Sequence, residues 1–134
     1  MHETFRNETF QFAVDIVYHC QRLDAKAGVT RSLGRQLLRS GTSIGANVEE
    51  AQAAQSLADF VSKCSIALKE ARETLYWLRL LDAGDHLANE DGKLLRQEAD
   101  ELSRLIGATI VRTKNSEVKI KNEKMQSVGL TFNF

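Results

Sequence analysis

The side chains best suited to chemistry stand in two short constellations at helical spacing. Ser43, Asn47 and Glu50 recur at i, i+4 and i+7, and Glu70, Glu73 and Trp77 at i, i+3 and i+7, so each set shares one helix face. Paired carboxylates can hold a metal or exchange protons, and a di-iron site between bundled helices is the first possibility to test. Such a site needs Glu-x-x-His on two helices, so that carboxylate and imidazole project inward together. Glu70-x-x-Glu73 is the nearest approach; no Glu-x-x-His occurs, and His2, His19 and His86 are scattered. Nucleophilic catalysis has no better footing. His19 and Cys20 are sequence neighbours, which point about 100° apart on a helix, and Cys64 falls on an apolar stripe where a thiol is inert. No Gly-rich phosphate loop and no Gly-x-Ser-x-Gly turn is present. What remains for a catalyst is a pocket at Asn47, Glu50 and Glu70. Buried polar groups must be paired, so the preferred reading makes both constellations hydrogen-bonded groups that fix helix register. No catalytic residue, metal, cofactor or small-molecule substrate is expected.

Charge offers a second kind of chemistry. Eighteen basic and eighteen acidic residues cancel, which argues against a uniformly basic coat for nucleic acid, although a neutral sum can hide local patches. Residues 22–42 carry five basic side chains and one acidic, with Arg31, Arg35 and Arg39 forming an i, i+4, i+8 ladder. Residues 102–124 carry six basic and two acidic, among them Arg104, Arg112 and Lys114, while residues 82–101 carry seven acidic and two basic. These are either solvated helix faces or two basic segments that converge on phosphate. Without interleaved aromatics, any contact with RNA runs through backbone and shape.

The elements that must position these residues are helices. The 134-residue chain has no proline, which leaves long stretches free to be helical. Residues 9–24 repeat apolar side chains at Phe10, Ala13, Val14, Val17 and Cys20, with Phe12, Ile16 and Leu23 widening the face. Residues 31–53 carry a seam of Leu33, Leu37, Gly41, Ile44, Val48 and Ala51 near the 3.5-residue period of bundles. Gly41 and Gly45 each cost about 1 kcal/mol relative to alanine in a helix; close approach of a neighbouring helix explains them better than a bend. Residues 56–83 form the strongest element, with Leu57, Val61, Cys64, Leu68, Ala71, Leu75 and Leu78 in register and Ser56/Asp59 placed as a capping box. Residues 89–114 bury Leu95, Leu102, Leu105, Ile106, Thr109 and Ile110, with Asn89 as cap; Thr30 is the corresponding cap for the second helix. Four long helices on short links predict an all-α, antiparallel up-down four-helix bundle over residues 1–114.

Two features lie outside that core. Ile66, Tyr76, Trp77 and Leu80 give the third helix more apolar surface than one seam uses, which points to self-association. From Asn115 the helical period is lost, and residues 115–134 are expected to be a non-helical or disordered tail, in which VKI and LTFNF alternate weakly like a strand. No secretory signal is visible at the start, and no run reaches the roughly 20 apolar residues of a membrane span. Cytoplasmic placement, with Cys20 and Cys64 as core thiols, is expected.

The run RSGTSIGANVEEAQAAQSLADFVSKCSIALKEARETLYWLRLL, residues 39–81, resembles the signature of a bacterial four-helix-bundle family first named for proteins encoded in intervening sequences of large-subunit ribosomal RNA genes. The matching positions are Arg39, Ser40, Ser43, Ile44, Asn47 and Glu50, then Phe60, Ala67, Glu70, Glu73, Trp77 and Leu78. FQFAVDIVYHC resembles the family's opening segment, so the likeness covers about residues 5–114. It implies an up-down bundle assembled as a ring-like homopentamer without established enzyme activity. The family is also similar to the accessory protein of diversity-generating retroelements, a basic pentamer that binds nucleic acid and a reverse transcriptase; this chain departs from it in being neutral. The expectation is therefore a non-enzymatic, pentameric scaffold that binds RNA or a nucleic-acid-handling protein such as a reverse transcriptase. The alternative is a protein-binding adaptor with no nucleic-acid role.

Overall fold

In the computed structural model, residues 3–129 are described, and they form four helices: α1 (Glu3–Asp24), α2 (Val29–Gln52), α3 (Leu57–Ala83) and α4 (Asn89–Ser127). No strand occurs among the described residues. Consecutive helices run antiparallel through turns at 25–28, 53–56 and 84–88. α2 packs broadly on α1 and α3, α3 packs broadly on α4, and α1 meets α4 only sparingly, while α2 and α4 make no close backbone approach. The all-α up-down bundle is as expected, with an open seam between its first and last helices.

Local chemistry explains where the helices stop. Ser56 Oγ accepts from Asp59 N–H at 3.0 Å, and the Asp59 carboxylate accepts from Gln55 N–H at 3.3 Å, which is the expected capping box with its return bond shifted one residue outward. α3 closes with Asp85 N–H on the Asp82 carbonyl and His86 N–H on the Leu81 carbonyl, with Asp85 at φ 56°. Aspartate tolerates this left-handed geometry better than most non-glycine residues. Two expected caps are corrected. α2 starts from Gly28 at φ 94°, without a side-chain cap, and Thr30 instead pairs its hydroxyl with His86 Nδ1 at 2.6 Å. α4 starts from Ala88, so Asn89 already lies inside the helix.

The core is built from Phe12, Ile16, Leu23, Leu37, Ile44, Val48, Cys64, Leu78, Leu81, Leu95, Leu102 and Ile106, all buried. Both thiols lie in it, as expected. The expected seam of α1 is corrected in phase: the buried residues are Phe5, Thr9, Phe12, Ile16, Cys20 and Leu23, whereas Phe10, Val14 and Val17 face out. The reason lies across the interface. α2 presents Gly34, Gly41 and Gly45 to α1, and a Cβ there would stand 2.8 Å from Leu23 Cβ, 2.9 Å from both Ile16 Cγ atoms, and 3.3 Å from the Thr9 carbonyl oxygen. The glycines admit Ile16, Leu23 and Thr9, and that contact sets the rotation of α1. The expected role of Gly41 and Gly45 in close helix approach holds.

The start of the tail is also corrected. α4 continues thirteen residues beyond Lys114, to Ser127, so VKI is helical rather than strand-like; the LTFNF segment lies outside the described residues. Groove-lining contacts place Thr113 level with Thr4 at the end of the bundle, and nearly every residue from Lys114 to Gly129 is exposed. The apolar period fades there because there is no neighbour to bury a stripe against. The backbone has no proline or glycine to stop it between Ala108 and Val128, and Glu117 and Lys121 form an i,i+4 pair at 3.5 Å.

Candidate functional site

The residues picked out by type and spacing meet at the α2–α3 interface. Arg39 reaches across from α2 to both Glu70, at 3.3 Å, and Glu73. Trp77 Nε1–H donates to the same Glu73 carboxylate at 3.2 Å. One turn inward, Ser40 Oγ and Thr74 Oγ1 lie 2.9 Å apart, both fully buried, and Thr74 also donates to the Glu70 carbonyl at 2.8 Å. Farther along, Glu50 pairs with Lys63 at 3.0 Å. Ser43 and Asn47 turn back on α2 itself, donating to the Arg39 carbonyl at 2.6 Å and the Ser43 carbonyl at 2.8 Å. Each polar group thus has a protein partner, but only the Arg39, Ser40/Thr74 and Glu50/Lys63 contacts cross from α2 to α3 and bear on their register. Of the pocket alternative's residues, Asn47 is engaged by the Ser43 carbonyl, Glu50 by Lys63 and Glu70 by Arg39.

Electrostatics agree with a clamp. The Arg39 hydrogen bond, then that of Trp77, holds the Glu73 carboxyl below the usual glutamate range. A carboxyl depressed by folding stabilises the fold above its unfolded pKa and loses that contribution as pH falls through the folded value. Arg39→Gln is accordingly expected to cost less than about 1 kcal/mol at pH 7, since the arginine is half exposed. The cost should vanish on acidification below about pH 4, as read by urea midpoints at both pH values.

The six basic candidates do not converge. Arg31 Nε donates to the Asp24 carbonyl at 2.8 Å and Arg35 meets the Asp24 carboxylate at 3.2 Å, so two rungs of the ladder cap the C-terminal end of α1. Arg39 is held by the clamp. Arg104 pairs with Asp100 at 2.8 Å and Arg112 approaches the Thr109 hydroxyl at 3.4 Å; Lys114 is exposed where the bundle ends. The two groups sit on α2 and α4, a diagonal pair of helices without close backbone approach.

Nor do the thiols meet a base. Cys20 Sγ donates to the Gly34 carbonyl at 3.4 Å on the α2 side, while His19 Nδ1 lies 4.0 Å from Asp91 of α4. Burial, with a smaller push from Asp24, raises the Cys20 thiol to about 12, and burial also raises Cys64, so both stay protonated and unreactive at neutral pH. Among the described residues no three His, Cys, Asp or Glu side chains gather as a metal ion requires.

Two surfaces escaped the residue-by-residue reading. Phe10, Val14, Val17 and Tyr18 form an outward apolar stripe on α1, with Phe10 67% exposed; the sequence places Phe10, Val14 and Val17 in the expected seam and does not single out Tyr18. On the opposite flank of α1, an open groove of about 220 Å³ is lined by Glu8, Gln11, Phe12, Asp15, Glu98, Glu101, Leu102 and Leu105. Burial raises the Glu98 carboxyl, and the charge of Asp15 raises it further, so ionised Glu98 works against folding at neutral pH and is relieved on protonation. Glu98→Gln should therefore raise stability at pH 7 by about 0.5 kcal/mol, with the gain shrinking as pH falls toward the carboxyl range; thermal melts at pH 7 and pH 4 measure it. On α3, Ile66, Tyr76 and Leu80 are exposed, whereas Trp77 is part-buried, packed on the core and edge-to-face with Tyr76 at 5.3 Å.

Residues 4–108 match the family described as 23S rRNA-intervening sequence protein. The chain belongs to that family. It is also similar to a solved structure from Bacteroides thetaiotaomicron VPI-5482, described as a protein with unknown function from the S23 ribosomal protein family, at 41% identity and a TM-score of 0.74. The likeness covers 79% of this chain and 97% of that one, so this chain carries residues that its relative lacks. No curated protein is significantly similar. The family match takes in the whole α2–α3 clamp and stops at residue 108, which leaves the projecting part of α4 outside it. No helix among the described residues is long and apolar enough to cross a membrane.

Proposed function

We propose that this member of the intervening-sequence family is a non-enzymatic, self-associating helical scaffold of the cytoplasm, built as a ring of five, and that RNA or a nucleic-acid-handling protein binds the assembly rather than the single chain. The observation that carries this reading is apolar surface left outward on two helices: Phe10, Val14, Val17 and Tyr18 on α1, and Ile66, Tyr76 and Leu80 on α3. Surface of that kind on separate flanks suits repeated contact between copies. Within one chain the basic residues are divided between two non-adjacent helices and mostly engaged by acidic or carbonyl groups. A composite phosphate-binding surface therefore requires several copies.

Sedimentation equilibrium tests the first half. The expected mass is about 75 kDa, five times the 15.0 kDa chain, and a species that stays monomeric at high concentration sinks the reading. Tyr76→Lys with Leu80→Lys should lower that mass. A salt titration against structured RNA tests the second half, since phosphate binding weakens steeply with salt. The internal pairing of the arginines also favours one alternative, an adaptor for proteins alone; absence of RNA binding by the assembled protein at low salt would select it.

A further inference from the structure

We infer that the projecting end of α4 is a docking arm whose socket is the acidic α1/α4 groove of a second copy. The inference rests on the self-association proposed above and assigns it a specific pair of surfaces. Beyond the bundle, α4 runs on as an exposed helix. Val111, Val118 and Met125 repeat every seven residues along it, and all three are exposed. Asn115 and Asn122 alternate with them to complete a narrow stripe of the coiled-coil kind. Lys114, Lys119 and Lys121 border that stripe. Two such arms packed on each other would set lysine against lysine, which disfavours pairing of like arms. The arm instead calls for an apolar groove with acidic walls.

The bundle has one. Because α1 and α4 meet only sparingly, two adjoining grooves share Glu8 and Leu105 and run from Glu98 up to Thr113. Their floor includes Phe5, Phe12 and Leu102; Glu8, Asp15, Glu98 and Glu101 wall the lower part, which is the acidic one, while Arg112 stands at the upper end. Burial and the neighbouring Asp15 charge raise the Glu98 carboxyl, as is expected of a negative wall without a cation opposite. Fifteen residues of groove span about 22 Å, and the arm beyond Lys114 about 20 Å. The arm is a continuation of the same helix that walls the groove, so it leads away from its own groove and enters another copy's. An arm-into-groove contact is head-to-tail, the kind that closes into a ring when the rotation permits. The arm lies outside the residues that match the family, so this contact is a property of this chain.

Charge reversal tests it at exposed positions that leave the core intact. One variant carries Lys119→Glu and Lys121→Glu, the other Glu8→Lys and Glu101→Lys; circular dichroism should show unchanged helicity in both. Each alone is expected to weaken self-association about tenfold or more in sedimentation velocity, and mixing the two should restore it, because each supplies the surface that the other lacks. If the wild type associates and neither variant changes that, or if the mixture fails to regain association, the arm-and-socket contact is wrong while the scaffold reading stands. A wild type that is monomeric at every concentration overturns both.

Discussion

Gly41→Leu is expected to abolish cooperative folding, and Gly41→Ala to lower stability by about 1–3 kcal/mol. In an ordinary helix the alanine change would help, since glycine is about 1 kcal/mol worse than alanine in a helix interior. Here the new methyl would stand 2.9 Å from both Cγ atoms of Ile16, and Ile16 is fully buried. Those atoms belong to a branched side chain with little rotameric freedom, so relief requires moving α1 away from α2. Gly34 is tighter still, with its added carbon 2.8 Å from Leu23 Cβ, an atom fixed to the backbone. Gly107 provides the contrast. Nothing lies within 4 Å of its would-be Cβ, and Gly107→Ala should raise stability by up to about 1 kcal/mol. Urea unfolding of the three alanine variants decides the matter: Gly34 and Gly41 must fall below the wild type and Gly107 rise above it. If all three rise, glycine on α2 does not serve close approach.

The second large effect separates two phenylalanines two residues apart. Phe12→Ala is expected to cost about 3–5 kcal/mol, because Phe12 is 2% exposed within the core formed by all four helices. Phe10→Ala should change the stability of the single chain by less than about 0.5 kcal/mol, because Phe10 is 67% exposed. If the chain self-associates as proposed, the same Phe10 substitution should lower the mass in solution, since Phe10 lies in the outward apolar stripe of α1. Thermal melts at low concentration and sedimentation at high concentration together read both effects. Equal destabilisation by the two variants would mean that α1 is rotated from the arrangement described.

These two effects concern the same question, which is how α1 and α2 come to face each other. It is also where the fold was least legible in advance. α1 carries apolar residues around more than half its circumference: Phe10, Ala13, Val14 and Val17 on one arc, Phe12, Ile16 and Leu23 on another. Periodicity identifies such a segment as helical without choosing between its arcs. The choice comes from the glycines of α2, on the far side of the 25–28 turn, which accept Ile16 and Leu23. A similar limit applied to the end of α4. Loss of an apolar period marks the loss of a packing neighbour, and a helix can outlast its neighbours when nothing in its backbone stops it.

The candidate site was more legible. Ser43, Asn47, Glu50, Glu70, Glu73 and Trp77 are recognisable by spacing, and pairing of buried polar groups already favoured a register-fixing role over a pocket. What spacing left open was the partners. Arg39 was read as a rung of a phosphate-binding ladder, and the fold turns it toward Glu70 and Glu73. Arg31 and Arg35 likewise become caps for α1 because the turn at 25–28 brings Asp24 beneath them. The acidic groove was visible only as an excess of negative charge in residues 82–101.

By itself the sequence determined the four helices, the turns near residues 53–56 and 84–88, the buried thiols and the family, since these follow from local backbone preference, residue spacing and an unbroken motif. Only the tertiary structure decided which arc of α1 is buried, which arginines are consumed in pairs, and that α1 and α4 stand apart to leave an acidic groove beside a basic arm. The division has one physical cause. Helix formation is settled by residues within a turn or two of each other, whereas packing phase and charge pairing are settled by whichever distant side chain arrives opposite.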